Sequence, residues 1–259
     1  MLLVIDCGNT NIVCALYEGH VLQSVWRIDT HPLPTIDSLT DSLHAHVDAD
    51  ALIEGVVIAS VVPQATLLLK MFSSKIGCTP LVIGEGGAEI GVDVDVPNPE
   101  QVGPDRLVNA AACAFLDMVP AIVVDFGTAT TFDVVLHGPN GARYAGGVIA
   151  PGVNLSVSAL SAAAARLPAM NIQDWQTDTI PALGTSTDSA MRSGILWGYV
   201  GLVEGILSRL ISELHIEPKI IATGGLATLY APHISSISTV KDNLTLDGLA
   251  SIFARNKHV

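Results

Sequence analysis

The sequence predicts an α/β fold built from two similar halves, and two observations carry that prediction. Short β-branched runs alternate with helical patterns, as layered α/β architecture requires. An internal repeat then sets two copies of one strand–turn–strand unit 119 positions apart. Val4-Ile5-Asp6-Cys7-Gly8-Asn9-Thr10-Asn11 is echoed by Val123-Val124-Asp125-Phe126-Gly127-Thr128-Ala129-Thr130.

Taken in order, residues 2–5, 55–60, 81–83, 122–125 and 219–223 read as buried strands, because each is short, rich in β-branched residues and bounded by Gly, Pro or Asp. Residues 35–46, 64–75, 105–115 and 187–214 carry helical spacing, and the last is long and rich in glycine, which suits close packing on another helix. In each repeat a second apolar strand follows the turn, at 12–17 and 131–136. Gly19 and Gly138 are expected to close the two hairpins. The duplication places the halves at residues 1–117 and 118–259, and residues 167–185 form the least periodic stretch.

Hydrophobic residues make up 49% of the 259 and charged residues 14%, so material for a core is ample. Twelve Lys and Arg face 25 Asp and Glu, a net charge of −13 that disfavours nucleic acid and anionic membranes as partners. An anionic ligand must then be held by local backbone donors and a cation. Cys7, Cys14, Cys78 and Cys113 form no CxxC pair and sit among apolar residues, as reduced core thiols do. The start lacks a basic region and meets Asp6 early, unlike a signal peptide. The apolar stretch 109–124 is broken by Asp117 and Pro120, which argues against a membrane span and for a cytoplasmic protein.

The repeated Asp-x-Gly turn is the first motif with chemical content. Its glycine lets backbone approach a ligand, and the N–H groups, hydroxyls and amides around it form an anion-binding concavity. The Asp ending the strand can orient a metal ion or its bound water. A plain hairpin explains one copy as well, whereas matched turns with matched flanks are harder to explain that way. The second motif, Gly103-Pro104-Asp105-Arg106-Leu107-Val108-Asn109, opens an apolar helical pattern. Asp105 there is either an N-cap or a carboxylate able to take a proton from a substrate hydroxyl. Arg106 offers a fork for a carboxylate or phosphate. Two glycine-rich turns, Gly146 to Gly152 and Thr223-Gly224-Gly225, match neither a Walker A loop nor a Rossmann fingerprint and read as tight structural turns. The eight histidines form no zinc pattern, and no GxSxG is present.

In combination, Asp6-x-Gly8-Asn9-Thr10, Gly103-x-Asp105-Arg106-x-x-Asn109, Asp125-x-Gly127-Thr128-Ala129-Thr130-Thr131 and Thr223-Gly224-Gly225 resemble type III pantothenate kinase. The resemblance runs nearly end to end, through Asn98-Pro99, Thr187 ahead of Ala190-Met191-x-Ser193-Gly194, and the tail Leu244-Thr245-Leu246-x-Gly248-Leu249 with Asn256. It implies the actin-like ATPase and sugar-kinase fold, a duplicated ribonuclease-H-like pair of halves with ATP in the cleft. It implies ATP-dependent phosphorylation of pantothenate to 4′-phosphopantothenate, the first step of coenzyme A synthesis.

By position, the resemblance makes Asp6, Cys7, Gly8, Asn9, Thr10, Asn11, Ile12 and Val13 the first phosphate loop and gives Thr128 an ATP contact. It makes Asp105 the general base and puts Gly103, Pro104, Asp105, Arg106 and Thr187 on pantothenate. Asp125 would hold a monovalent cation, potassium or ammonium, beside the Mg²⁺ that accompanies ATP. A homodimer built by long helices is implied too. Pro104, Val96, Asp188, Thr185 and Ser186 depart from the family pattern around the substrate pocket and leave the phosphate loops intact. A nucleotide-binding regulatory relative, a phosphohydrolase and a filament-forming scaffold share this fold, and the motif from Gly103 to Asn109 favours a kinase over them.

Overall fold

The computed structural model describes residues 1–47, 51–163, 167–172 and 175–257. In chain order the elements are β1 (Leu2–Cys7), β2 (Asn11–Glu18), β3 (Val21–Asp29), α1 (Ile36–His44), β4 (Gly55–Ser60), α2 (Pro63–Lys75), β5 (Pro80–Val82) and β6 (Asp93–Val94). There follow α3 (Pro104–Phe115), β7 (Ala121–Phe126), β8 (Ala129–Gly138), β9 (Gly141–Pro151), α4 (Val153–Ala163) and α5 (Thr187–Leu214). The chain closes with β10 (Lys219–Thr223), α6 (Ala227–Tyr230), β11 (Thr239–Val240) and α7 (Leu244–Asn256). It divides into two compact units: residues 1–118, 135–145 and 243–259 form the first, and 119–134 with 146–242 form the second.

The first unit is built on a sheet of order β3-β2-β1-β4-β5, antiparallel from β3 to β1 and parallel from β1 to β5. Strand side chains alternate between faces, so a strand buried on both sides reads as a continuous apolar run. β1 does this. Leu3, Ile5 and Cys7 join Val56 and Ile58 of β4 in a core with Leu39 and Leu43 of α1 and Leu69 and Phe72 of α2. Val4, with Val57 and Ala59, faces Val108 and Ala111 of α3 and Leu246, Leu249 and Ile252 of α7. Asp6 is in phase with Val4, at the C-terminal end of β1.

Local sequence fixes where the helices start. Thr35 and Ser38 form a reciprocal capping box on α1, and Pro63 and Pro104 stand at the first turns of α2 and α3, where a missing N–H costs nothing. Ser186 and Ser189 cap α5 in the same reciprocal way, and α5 ends where His215 turns left-handed at φ 52°.

The second sheet runs β6-β9-β8-β7-β10-β11, with β7, β10 and β11 parallel, and its last five strands correspond to the first sheet. Each of these five takes the place of the strand six earlier in the first sheet, so the duplication in sequence is a duplication in topology. The compact units are a grouping by packing and differ from the halves 1–117 and 118–259, which follow the repeat. The hairpin segment 135–145 belongs to the first unit, where β6 pairs with Arg143 and Tyr144. Helix α7 belongs there because its apolar face covers α3.

Other differences are local. The stretch from Gly146 to Gly152, expected as a turn, runs as strand β9 to Pro151. Gly138 ends β8, and the hairpin turn falls at Pro139-Asn140, with Gly141 at φ 119°. β3 and α7 stand where the sequence pattern predicts no element. Among the described residues one helix, α5, is long and apolar enough to cross a membrane by length and composition, and one of its faces, including Ile195, Leu196, Val200 and Val203, is buried within the second unit.

Candidate active site

In the first Asp-x-Gly turn, the Gly8 N–H donates to Asn11 O at 2.9 Å, closing a tight loop that leaves Asn9 and Thr10 exposed. Asp6, half-buried, sits opposite Val13 across the ladder. Cys7 and Ile12 are buried in the core, so they offer a ligand only backbone. Burial pushes the Cys7 thiol up, as suits a structural cysteine. Thr30, fully buried just after β3, pins the loop from behind. Its hydroxyl donates to Gly8 O at 2.8 Å and its N–H to Thr10 O at 3.0 Å.

The second turn closes one residue sooner. Gly127 N–H donates to Ala129 O at 3.1 Å, and Gly127 and Thr128 are exposed. Two glycines buttress this loop. A Cβ on Gly152 would lie 2.0 Å from Thr128 O, and one on Gly224, itself at φ 90°, would lie 2.4 Å from Asp125 Oδ1 and 2.7 Å from Phe126 N. Only glycine allows backbone to stand that close. Gly152, just past the end of β9, and Gly224 thus stand directly against the Asp125–Thr128 loop and support it.

The third element is the first turn of α3. Gly103 is the N-cap residue, and no side chain caps the helix, so Asp105 does not serve as the N-cap. Its carboxylate instead folds back over Gly103, where a Cβ would meet Asp105 Oδ1 at 2.4 Å. Burial pushes the Asp105 carboxyl above its ordinary value, opposed by the Arg106 backbone N–H, the Arg106 charge and its own backbone N–H. A raised carboxylate with donors nearby has the character of a proton acceptor. Arg106 lies over the Tyr144 ring at 5.6 Å, a cation–π contact that orients its guanidinium.

Gly103, Pro104, Asp105 and Arg106 thus share one helical turn in the unit that also holds the loop from Asp6 to Val13. Asp125 and Thr128 share one loop of the other unit, where Thr187 is exposed at the first position of α5. Each unit thus holds parts that phosphoryl transfer uses: a backbone-rich turn with a carboxylate at the strand end in both, and in the first a half-buried carboxylate beside an arginine.

A family profile described as type III pantothenate kinase matches residues 2–209. The chain belongs to the type III pantothenate kinase family. The type III pantothenate kinase of Paramagnetospirillum magneticum is 44% identical over 261 residues, covering 99% of this chain and 98% of that one. Two solved structures share the actin-like ATPase and sugar-kinase fold with this member of the type III pantothenate kinases. The activator of 2-hydroxyisocaproyl-CoA dehydratase from Clostridium difficile, with bound ADPNP, superposes at TM-score 0.55 with 13% identity, covering 100% of this chain and 97% of that one. The ROK hexokinase of Thermus thermophilus gives 0.51 at 13% identity, covering 98% and 99%. Both bear on the fold alone.

Sequence reasoning about this type III pantothenate kinase missed Thr30 and the contact of α7 with α3. Both act through tertiary contacts that no local pattern announces.

Proposed function

We propose that this chain transfers the γ-phosphoryl group of ATP to the hydroxyl of pantothenate, giving 4′-phosphopantothenate for coenzyme A synthesis. Family membership supports the substrate, and the observation that carries the chemistry is Asp105: a half-buried carboxylate in the first turn of α3, folded back over Gly103, whose pKa burial raises. Asp105 accepts the proton of the pantothenate hydroxyl as that oxygen attacks phosphorus. Gly103, Pro104 and Thr187 line the substrate, and Arg106, oriented by Tyr144, pairs with its carboxylate.

Backbone N–H groups between Asp6 and Val13 hold the nucleotide phosphates, Asn9 and Thr10 add exposed polar side chains, and Thr128 makes a further ATP contact. Mg²⁺ accompanies the nucleotide and offsets its charge. Among the described residues no three His, Cys, Asp or Glu side chains gather into a metal cluster. The Asp125 carboxylate, half-buried at the end of β7, would hold a monovalent cation together with neutral oxygens from backbone and ligand. Helix α5 exposes Gly194, Gly198, Gly201, Glu204 and Ser208 along one side, a surface on which a homodimer joined through long helices would pack. The acidic chain works in the cytoplasm, where ATP and potassium abound.

Phosphopantothenate formation from ATP, Mg²⁺ and pantothenate, measured in potassium and again in sodium buffer, tests the reading. Product in potassium with a sharp fall in sodium is the expected result. Phosphate release without pantothenate would make the protein a hydrolase, and nucleotide binding without product would make it a regulatory relative.

A further inference from the structure

We infer that Tyr199 is a positioning residue for the Asp125–Thr128 loop, which it reaches by two routes from the middle of α5. The inference rests on the phosphate-contacting role proposed for that loop. Both routes lie within the second unit.

The first route runs through the phenol. Tyr199 is 6% exposed, and its Oη lies 3.0 Å from Pro151 O, 2.9 Å from Gly152 O and 2.5 Å from Ser156 Oγ. A phenol carries one proton and accepts through its oxygen, so the Ser156 hydroxyl can donate to Tyr199 while Tyr199 donates to a carbonyl. Those carbonyls belong to the turn whose Gly152 backbone is pressed against Thr128. Holding Gly152 therefore holds Thr128.

The second route runs through the ring. Tyr199 meets Tyr230 edge-on with centroids 6.0 Å apart, and Tyr230 stacks on Phe126 at 5.5 Å and 11°. Phe126 follows Asp125 directly, so one side chain supports the loop at both the Asp125 and the Thr128 end. Thr187, proposed to touch pantothenate, starts the same helix and lies about 18 Å from Tyr199 along the axis, twelve residues at ~1.5 Å each. A rigid helix is thereby tied to the substrate at its start and to the phosphate loop at its centre. Phosphoryl transfer depends on positioning more than on covalent chemistry, so slack in this support should appear in the rate.

Tyr199→Phe tests this, because it removes the hydroxyl and keeps the ring. Steady-state kinetics with ATP and pantothenate is one readout, and amide hydrogen exchange across residues 125–131 of the full chain is the other. Losing the phenol's hydrogen bond leaves the Gly152 carbonyl held only by the Ser156 N–H at 3.0 Å, and is expected to lower kcat/KM for ATP roughly tenfold and to speed exchange in that segment by a similar factor. The KM for pantothenate should stay at its wild-type value, a split that general destabilisation would not produce. Ser156→Ala keeps both rings and should move the same two readouts in the same direction by less. Either readout remaining at its wild-type value in Tyr199→Phe overturns the inference. If the wild type forms no phosphopantothenate, the proposed function fails, and hydrogen exchange alone decides whether Tyr199 holds the loop.

Discussion

Gly248 is the point where a single methyl group tests the placement of the proposed base. Helix α7 packs on α3 so closely that a Cβ at Gly248 would lie 2.3 Å from Val108 O and 2.8 Å from Val108 Cγ1, where ordinary contact begins at 3.4 Å. Asn109, next along α3, accepts a hydrogen bond from the Thr245 hydroxyl of α7 at 2.8 Å. The obstacle is backbone, so Gly248→Ala must push the helices apart by roughly 1 Å, at an overpacking cost of about 1–3 kcal/mol. For a chain of this size each kcal/mol lowers the melting midpoint by roughly 2–4 °C. Asp105 lies one helical turn before Val108, and misplacement of a reacting group by about 1 Å can cost ~100-fold in rate. Thermal unfolding and kcat at saturating substrates measure the two effects, and both should fall. A variant with the wild-type midpoint and wild-type kcat would refute both the tightness of this contact and its role in holding α3.

Four further outcomes are expected from three variants. Asp105→Asn should still bind ATP while losing ~10²–10⁴ in kcat, as removal of a general base does; near-normal turnover would remove Asp105 from that role. The same variant carries a sign in pH. A carboxyl with a raised native pKa contributes stability that is full below its unfolded value, 3.8, and is lost as pH rises through the native value, so Asp105→Asn should melt above wild type at neutral pH with the gap closing in acid. Asp125→Ala should flatten the potassium dependence of the rate, and an unchanged salt profile would clear Asp125 of cation binding. Thr30→Val keeps the side-chain shape but deletes the donor to Gly8 O, so the KM for ATP should rise several-fold, consistent with a hydrogen bond worth about 1 kcal/mol; an unchanged KM would show the loop holds itself.

What the sequence disclosed and what it withheld divide along a physical line. The duplicated turns were legible because each is local: strand, carboxylate, glycine and polar residues lie within eight positions, and the repeat at 119 residues made chance a poor explanation. The buried strands were legible because β1, β4 and β7 are apolar on both faces and read as unbroken runs. β3 was not, because its residues alternate through exposed and half-buried positions, from an exposed Val21 to a buried Trp26. The supports of the candidate site escaped for a different reason. Gly152 against Thr128, Gly224 against Asp125 and Gly248 against Val108 are approaches between segments far apart in the chain, and a glycine kept for distance looks like a glycine kept for a turn. The Tyr17 hydroxyl bonds to Asp247 at 2.7 Å across 230 residues, again tying α7 to the sheet that carries Asp6. A local motif can present the groups that touch a ligand, but their position is set by second contacts whose only trace in the sequence is a residue smaller or more polar than its surroundings demand.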